Sequence, residues 1–151
     1  MAAQESNTTQ RGQEGEWLQS RSGERFCIRI PADVTHGGYS VTEIIASPGD
    51  STPVHIHKNE DEHIHVLDGT VQFQLGEDKF EATSGTVVSL PRGIAHAWGN
   101  ASDTSVRLIA TLTPGGCEEA LREIAIAGKD VDLMAIATRY EVSVVGPPLL
   151  G

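Results

Sequence analysis

The chain has 151 residues, of which 11 are basic and 21 acidic, giving a formal charge of −10 at pH 7. A domain near this size buries about two-thirds of its unfolded surface, so one sizeable hydrophobic core fits. The acidic balance argues against nucleic acid and anionic membrane surfaces as partners, since both would repel it.

Residues 1–16 contain no aromatic or branched aliphatic side chain. They hold too little apolar surface to order themselves, which predicts a tail. They also lack the apolar run of a secretory leader, and no stretch of the chain approaches a membrane span, so the expectation is a cytoplasmic protein. Cys27 and Cys117 stand in unrelated contexts, which predicts free thiols rather than a disulfide framework. The ordered domain opens at Trp17-Leu18. A first strand is predicted over 26–30, halted by Pro31, with a loop or turn over 33–38. Tyr39, Val41, Glu43 and Ile45 then alternate with Ser40, Thr42 and Ile44, the period of a strand.

Pro48-Gly49-Asp50 turns the chain into Val54-His55-Ile56-His57. Residues two apart on a strand project to one side, so both imidazoles can reach one point. Glu62 opens a second strand, 62–67, which ends in the Asp68-Gly69 turn signal. Taken as adjacent, the two strands offer two nitrogens and one carboxylate oxygen to a common space. Such a set makes a metal site that lacks one ligand. The segment 70–75 alternates with Val71, Phe73 and Leu75 toward the core and turns through Gly76-Glu77-Asp78 into a hairpin partner over 79–82. A strand over 86–90 runs into Pro91-Arg92-Gly93, and the apolar stretch that follows carries His96, the candidate for the missing ligand. With a further strand over 106–112, short strands and frequent turns predict an all-β sandwich or barrel. Helical spacing begins after Pro114-Gly115-Gly116. A helix is predicted over 117–127, closed by Gly128, and a second is N-capped by Asp130, with Leu133, Met134, Ala137 and Tyr140 on one stripe. Gly146-Pro147-Pro148 is read as the end of the ordered chain.

Two spacings carry a family resemblance. Gly49, His55, His57, Glu62 and Gly69 fill one half of the paired cupin signature, and Gly85, Pro91, Gly93, His96 and Asn100 fill the other. The chain resembles the small single-domain cupins over about residues 17–148, and its closing segment is similar to that of bacterial cupins related to quercetin dioxygenase. The resemblance implies a double-stranded β-helix, or jelly-roll barrel, over 17–113. Residues 114–148 would form a helical extension packed on it as part of the same domain. It also implies His55, His57, Glu62 and His96 as the ligands of one divalent transition metal, and the family spacing selects Glu62 over Glu60 and Asp61. Homodimers are common among such proteins, and an outward apolar residue such as Leu67 is compatible with one.

Three imidazoles and a carboxylate suit Fe, Ni, Cu, Co, Mn or Zn rather than Mg or Ca. By strand parity the pocket wall would include Tyr39, Val41, Ile45, Ile64, Phe73, Ile94 and Trp98, an apolar mouth suited to a neutral small molecule. Lys58 and Arg92 are the only cations near the motifs, too few for a phosphorylated sugar. His63 and His65 fall on the strand face opposite Glu62, and His36 lies in a polar loop. The resemblance to quercetinase-like cupins implies the leading expectation, a metal-dependent dioxygenase acting on an apolar, phenolic or enolic substrate, with Glu62 as general base. A non-catalytic small-molecule binder and a metal-dependent isomerase or decarboxylase remain open beside it.

Overall fold

The computed structural model describes residues 15–21 and 23–151. The tail expected over 1–16 therefore lies outside the described residues, apart from the exposed Gly15 and Glu16. The strands in chain order are β1 (Leu18–Arg21), β2 (Glu24–Ile30), β3 (Ser40–Ala46), β4 (Pro53–His57), β5 (Asp61–Asp68), β6 (Thr70–Leu75), β7 (Asp78–Thr83), β8 (Val87–Leu90), β9 (His96–Gly99), β10 (Val106–Thr113) and β11 (Val142–Pro148). The helices α1 (Glu118–Ala127) and α2 (Leu133–Arg139) lie between β10 and β11. All pairings are antiparallel, in one sheet ordered β1-β2-β3-β10-β5-β8 and a second ordered β11-β4-β9-β6-β7. Two antiparallel sheets face each other, and the two short helices are inserted before the strand β11, which completes the second sheet.

Alternation of apolar and polar residues drives the two sheets together. Phe26, Ile64, Val66, Val71, Phe73, Leu90 and Leu108 are all fully buried between them, each contributing about 1.5–3 kcal/mol by leaving water. Phe73 pairs in register with Trp98 and stacks on Phe80 at 5.6 Å. Gly69 joins β5 to β6 at φ 92°, and a β-carbon there would stand 2.7 Å from Val106 Cγ1. The turn therefore needs glycine for both its backbone angle and its space. Asn100, fully buried, ties the end of β9 to the first sheet by donating to the carbonyls of Ala46 at 3.1 Å and Thr104 at 2.8 Å.

The loop or turn read over 33–38 begins as a 3-10 turn, Ala32–Thr35. Three sequence expectations change. A short strand, β1, precedes the first strand read from the sequence. The second helix is capped by Asp132, whose carboxylate accepts from the Ala135 amide at 3.0 Å, while Asp130 belongs to a 3-10 turn. The chain does not end its order at Gly146-Pro147-Pro148. Those residues close β11, which pairs with β4 through Val142 opposite His57 and Val144 opposite His55. Proline at the end of an edge strand loses no ladder bond, so the Pro pair that suggested a terminus is compatible with a strand. β11 thereby covers the open edge of the histidine-bearing strand.

Candidate metal centre

β4 carries His55 and His57, and the register of the second sheet sets His96 of β9 directly opposite His55. Glu62 comes from the facing sheet. The turn after His57 carries the chain across, so β4 and β5 are not hydrogen-bonded neighbours as the sequence suggested. His57 is held in place from both sides: its carbonyl accepts from the Gly93 amide at 2.8 Å, and the next residue, Lys58, donates to Glu141 at 3.2 Å.

The three histidines each offer a donor atom within 4.8 Å of the others. Their ring centroids lie 4.5 Å (His55 to His96), 5.1 Å (His55 to His57) and 5.4 Å (His57 to His96) apart. Glu62 approaches from the His57 side, its Oε2 3.7 Å from His57 Nε2. The remaining ring nitrogens are engaged. His55 Nδ1 donates to the Pro53 carbonyl at 2.7 Å, His96 Nδ1 to the Ile94 carbonyl at 3.3 Å, and His57 Nδ1 to Glu60 at 3.2 Å. A backbone or carboxylate acceptor on Nδ1 fixes the tautomer and leaves Nε2 with a free lone pair. His96 Nε2 is buried and has no hydrogen-bond partner among the described residues. A buried nitrogen left this way costs free energy unless something accepts its lone pair. The donor set and the orphaned nitrogen fit a divalent transition ion.

The electrostatics favour the neutral ring at His55 and His96, and favour the proton at His57 and Glu62. Burial, with the neighbouring His57 charge, pushes His55 down to about 4. Burial and the charges of His55 and His57 push His96 down to about 3. For His57 burial opposes protonation, but the hydrogen bond to Glu60 and the charges of Glu62 and Glu60 outweigh it and raise the ring. Burial raises the Glu62 carboxyl, against the pull of His57.

His55, His57 and Glu62 open into a cavity of about 470 Å³ whose surface is mostly apolar. Thr42 and Ile44 of β3, Ala110 and Leu112 of β10, and Trp98 of β9 form the barrel side. Leu121 and Ile124 of α1 and Leu133 and Ile136 of α2 close it from the helical side. Of the wall residues read from parity, Trp98 lines this cavity. Tyr39 and Ile94 are 43% and 41% exposed on the surface, while Ile64 and Phe73 lie in the sealed core. Val41 and Ile45 are half-buried on the outer face of β3. The parity of β3 is reversed from a simple hydrophobic reading because Ser40 and Thr42 point inward. Glu43, between Val41 and Ile45, is stabilised on the outer face by Arg29 at 3.2 Å and Arg107 at 2.6 Å.

The sequence reading also missed residues that the fold delivers here. Ser20, Arg21 and Glu24 reach the cavity from the β1–β2 hairpin, and Cys117 and Glu118 from the start of α1. Cys117 Sγ stands 3.8 Å from His57 Nδ1, and with Glu60 these atoms form a second group of metal-binding type. Burial, with the Glu60 and Glu62 charges, pushes the Cys117 thiol up, away from thiolate. Both cysteines are free thiols, Cys27 in the core and Cys117 at the cavity. His63 and His65 pair with strand neighbours away from the cluster, and His36 is exposed. Arg92 is engaged with Asp61 at 3.1 Å.

Residues 42–112 match the family model described as Cupin domain. The barrel that carries the histidines is a cupin domain. Within that family the chain is similar to quercetin 2,3-dioxygenase of Bacillus subtilis (strain 168), with 32% identity over 88 residues, or 54% of this chain. The match spans 26% of that relative, so the chain accounts for about a quarter of its length. Among solved structures, KdgF from Halomonas sp. superposes with a TM-score of 0.62 at 16% identity, covering 69% of this chain and 92% of that one. A predicted oxalate decarboxylase from Thermotoga maritima superposes at 0.60 with 20% identity, covering 66% of this chain and 91% of the other. At these identities the two solved structures share the fold. No helix among the described residues is long and apolar enough to cross a membrane.

Proposed function

We propose that the chain is a metal-dependent dioxygenase acting on a small, largely apolar molecule that bears a phenolic or enolic hydroxyl. One observation carries the reading: His55, His57 and Glu62 open into a mostly apolar cavity of about 470 Å³, with His96 buried beside them as the third histidine donor. The likeness to a quercetin dioxygenase over 88 residues supports the choice of reaction class. His55, His57, His96 and Glu62 would hold one divalent transition ion. Such an ion supplies Lewis acidity toward the ligand oxygen and, where redox-active, the means to engage oxygen. The chain's own residues do the rest. Trp98 and the aliphatic walls from β3, β10 and the two helices exclude water and hold the apolar body. Glu62, whose proton affinity is raised by burial, takes the hydroxyl proton on a carboxylate oxygen as general base.

Oxygen uptake is the discriminating test. The purified chain, loaded in turn with Fe, Ni, Cu, Co and Mn, is given quercetin or the parent flavonol in an oxygen-electrode cell. Uptake with at least one metal is expected, together with its loss in Glu62→Gln. Binding of the flavonol without uptake under any of these metals would reduce the protein to a binding module. Conversion of an oxo-acid without uptake would assign it to the isomerases or decarboxylases instead.

A further inference from the structure

An ion network stands in the cavity wall where apolar residues would be expected. Glu24 follows the inward parity of β2 with Phe26, pairs in register with Ala46, and is 2% exposed. Its carboxylate accepts from the Ser20 hydroxyl and meets Arg21 Nη2 at 3.0 Å. Arg21 in turn makes a bidentate pair with Asp50, at 2.6 and 2.8 Å, and its guanidinium lies 5.7 Å from the Trp98 ring centroid. Ser20, Arg21, Glu24 and Trp98 all line the cavity. Stability gives no reason for this arrangement, because a buried ion pair is often no better than the apolar residues that could replace it.

Its chemistry does indicate what it could receive. A carboxylate has about four acceptor positions, and Ser20 and Arg21 engage one on each oxygen of Glu24. Glu24 in the wall and Asp50 outside it share the Arg21 guanidinium, so the wall offers an anion no unpaired positive charge here. Much of the remaining lining, including Ile44, Leu112, Leu121, Ile124 and Ile136, is aliphatic and suits an apolar body. A neutral hydroxyl on an apolar scaffold satisfies both surroundings, since it can hydrogen-bond to the carboxyl without bringing a second charge into the cavity.

We propose that Glu24, oriented by Ser20 and Arg21, is a second recognition point in the cavity, which receives a neutral hydroxyl of the ligand distinct from the one directed at the candidate metal ligands. The inference rests on the cavity being the ligand site of the proposed function. It makes the preferred ligand a polyhydroxylated aromatic or enolic molecule rather than one with a single hydroxyl.

The test uses two probes on one scaffold: the parent flavonol, which carries the enolic hydroxyl alone, and quercetin, which adds phenolic hydroxyls. Titration calorimetry on the full chain loaded with zinc, which has no redox chemistry, reads affinity without turnover. Quercetin is expected to bind about tenfold tighter than flavonol, the scale of one good hydrogen bond. In Glu24→Leu that preference should vanish while flavonol affinity stays within about twofold. Should Glu24→Leu fail to fold, Glu24→Gln and Ser20→Ala carry the test, each being expected to reduce the preference at least about threefold. A preference unchanged in the variants, or absent from the wild-type chain that still binds flavonol, overturns the recognition point and leaves the proposed function standing. Binding of neither probe overturns both.

Discussion

His55 and His96 face each other across the β4–β9 pair with ring centroids 4.5 Å apart, and each turns Nδ1 to the carbonyl two residues before it. The two rings are therefore aimed by backbone on neighbouring strands rather than by mobile side chains. A site oriented in this way should hold an ion without rearrangement.

The first prediction follows from that aim. His96→Ala removes the nitrogen that is buried without a partner, and His57→Ala removes the one beside Glu62. Each should weaken zinc or cobalt binding at least about tenfold, read by competition with a chromophoric chelator. His63→Ala, on the other face of β5, should leave the affinity unchanged. Protein purified without chelator that takes up no divalent metal would show that the four residues are not a metal site.

The second prediction concerns acid and the metal-free chain. His55 and His96 stand at about 4 and about 3 in the folded state, below the ordinary value of 6.5. Between those values and 6.5 the unfolded chain binds more protons than the folded one. The stability these two groups supply is thus full above about pH 6.5 and is lost as pH falls through about 4 and then about 3. His57, Glu24 and Glu62 are raised, so acid favours the folded state at those three groups and opposes the loss. Melting curves from pH 7 to 4 should show a falling melting temperature. The double variant His55→Asn/His96→Asn should show a shallower fall. A slope unchanged in the double variant would mean that the acid sensitivity arises elsewhere.

Much of this site was legible because strand spacing converts directly into geometry. His55 and His57 two apart, and the glycines at 49, 69, 85 and 93, placed the turns and one ligand face without knowledge of the sheet order. What stayed hidden depended on pairing. That His96 stands opposite His55, while Glu62 comes from the facing sheet, is a matter of register, and periodicity is silent on it. β3 was read inside out because Ser40 and Thr42 point inward, and because Glu43 finds two arginines on the outer face. Ser20, Arg21 and Glu24 lie about 30 residues or more before the histidines in the chain. No local pattern marks them as neighbours of the site. Cys117 had a local signal, as the residue that opens a helix after a glycine turn, but nothing in its spacing pointed to His57.

Assembly gives the third prediction. β8 is an edge strand of the first sheet and exposes Val87, which is 61% accessible, while Leu67 on β5 is half-buried. An uncovered apolar edge invites pairing with a second chain. A homodimer is the expected outcome, seen as twice the chain mass by light scattering at micromolar concentration. Val87→Lys should shift the balance toward monomer. A monomer at all concentrations tested would remove the homodimer.

The last prediction separates the cavity from the metal. Ala137 lines the cavity from α2, one residue after Ile136, the one buried residue of that helix. Replacing it with tryptophan costs the helix only a few tenths of a kcal/mol in propensity and adds a bulky ring to space now available to a ligand. α2 packs against β11 and α1 and supplies none of the candidate ligands. Zinc affinity should therefore stay within about twofold of the wild-type value, and the melting temperature should move by only a few degrees, as for a change of about 1 kcal/mol. Flavonol affinity, by contrast, should fall at least about tenfold, because the ring occupies volume that the apolar body needs. If Ala137→Trp folds, binds zinc normally and still binds flavonol as the wild-type chain does, the ligand does not enter between the helices and the barrel. The cavity would then be a packing gap under the helical extension rather than the substrate site.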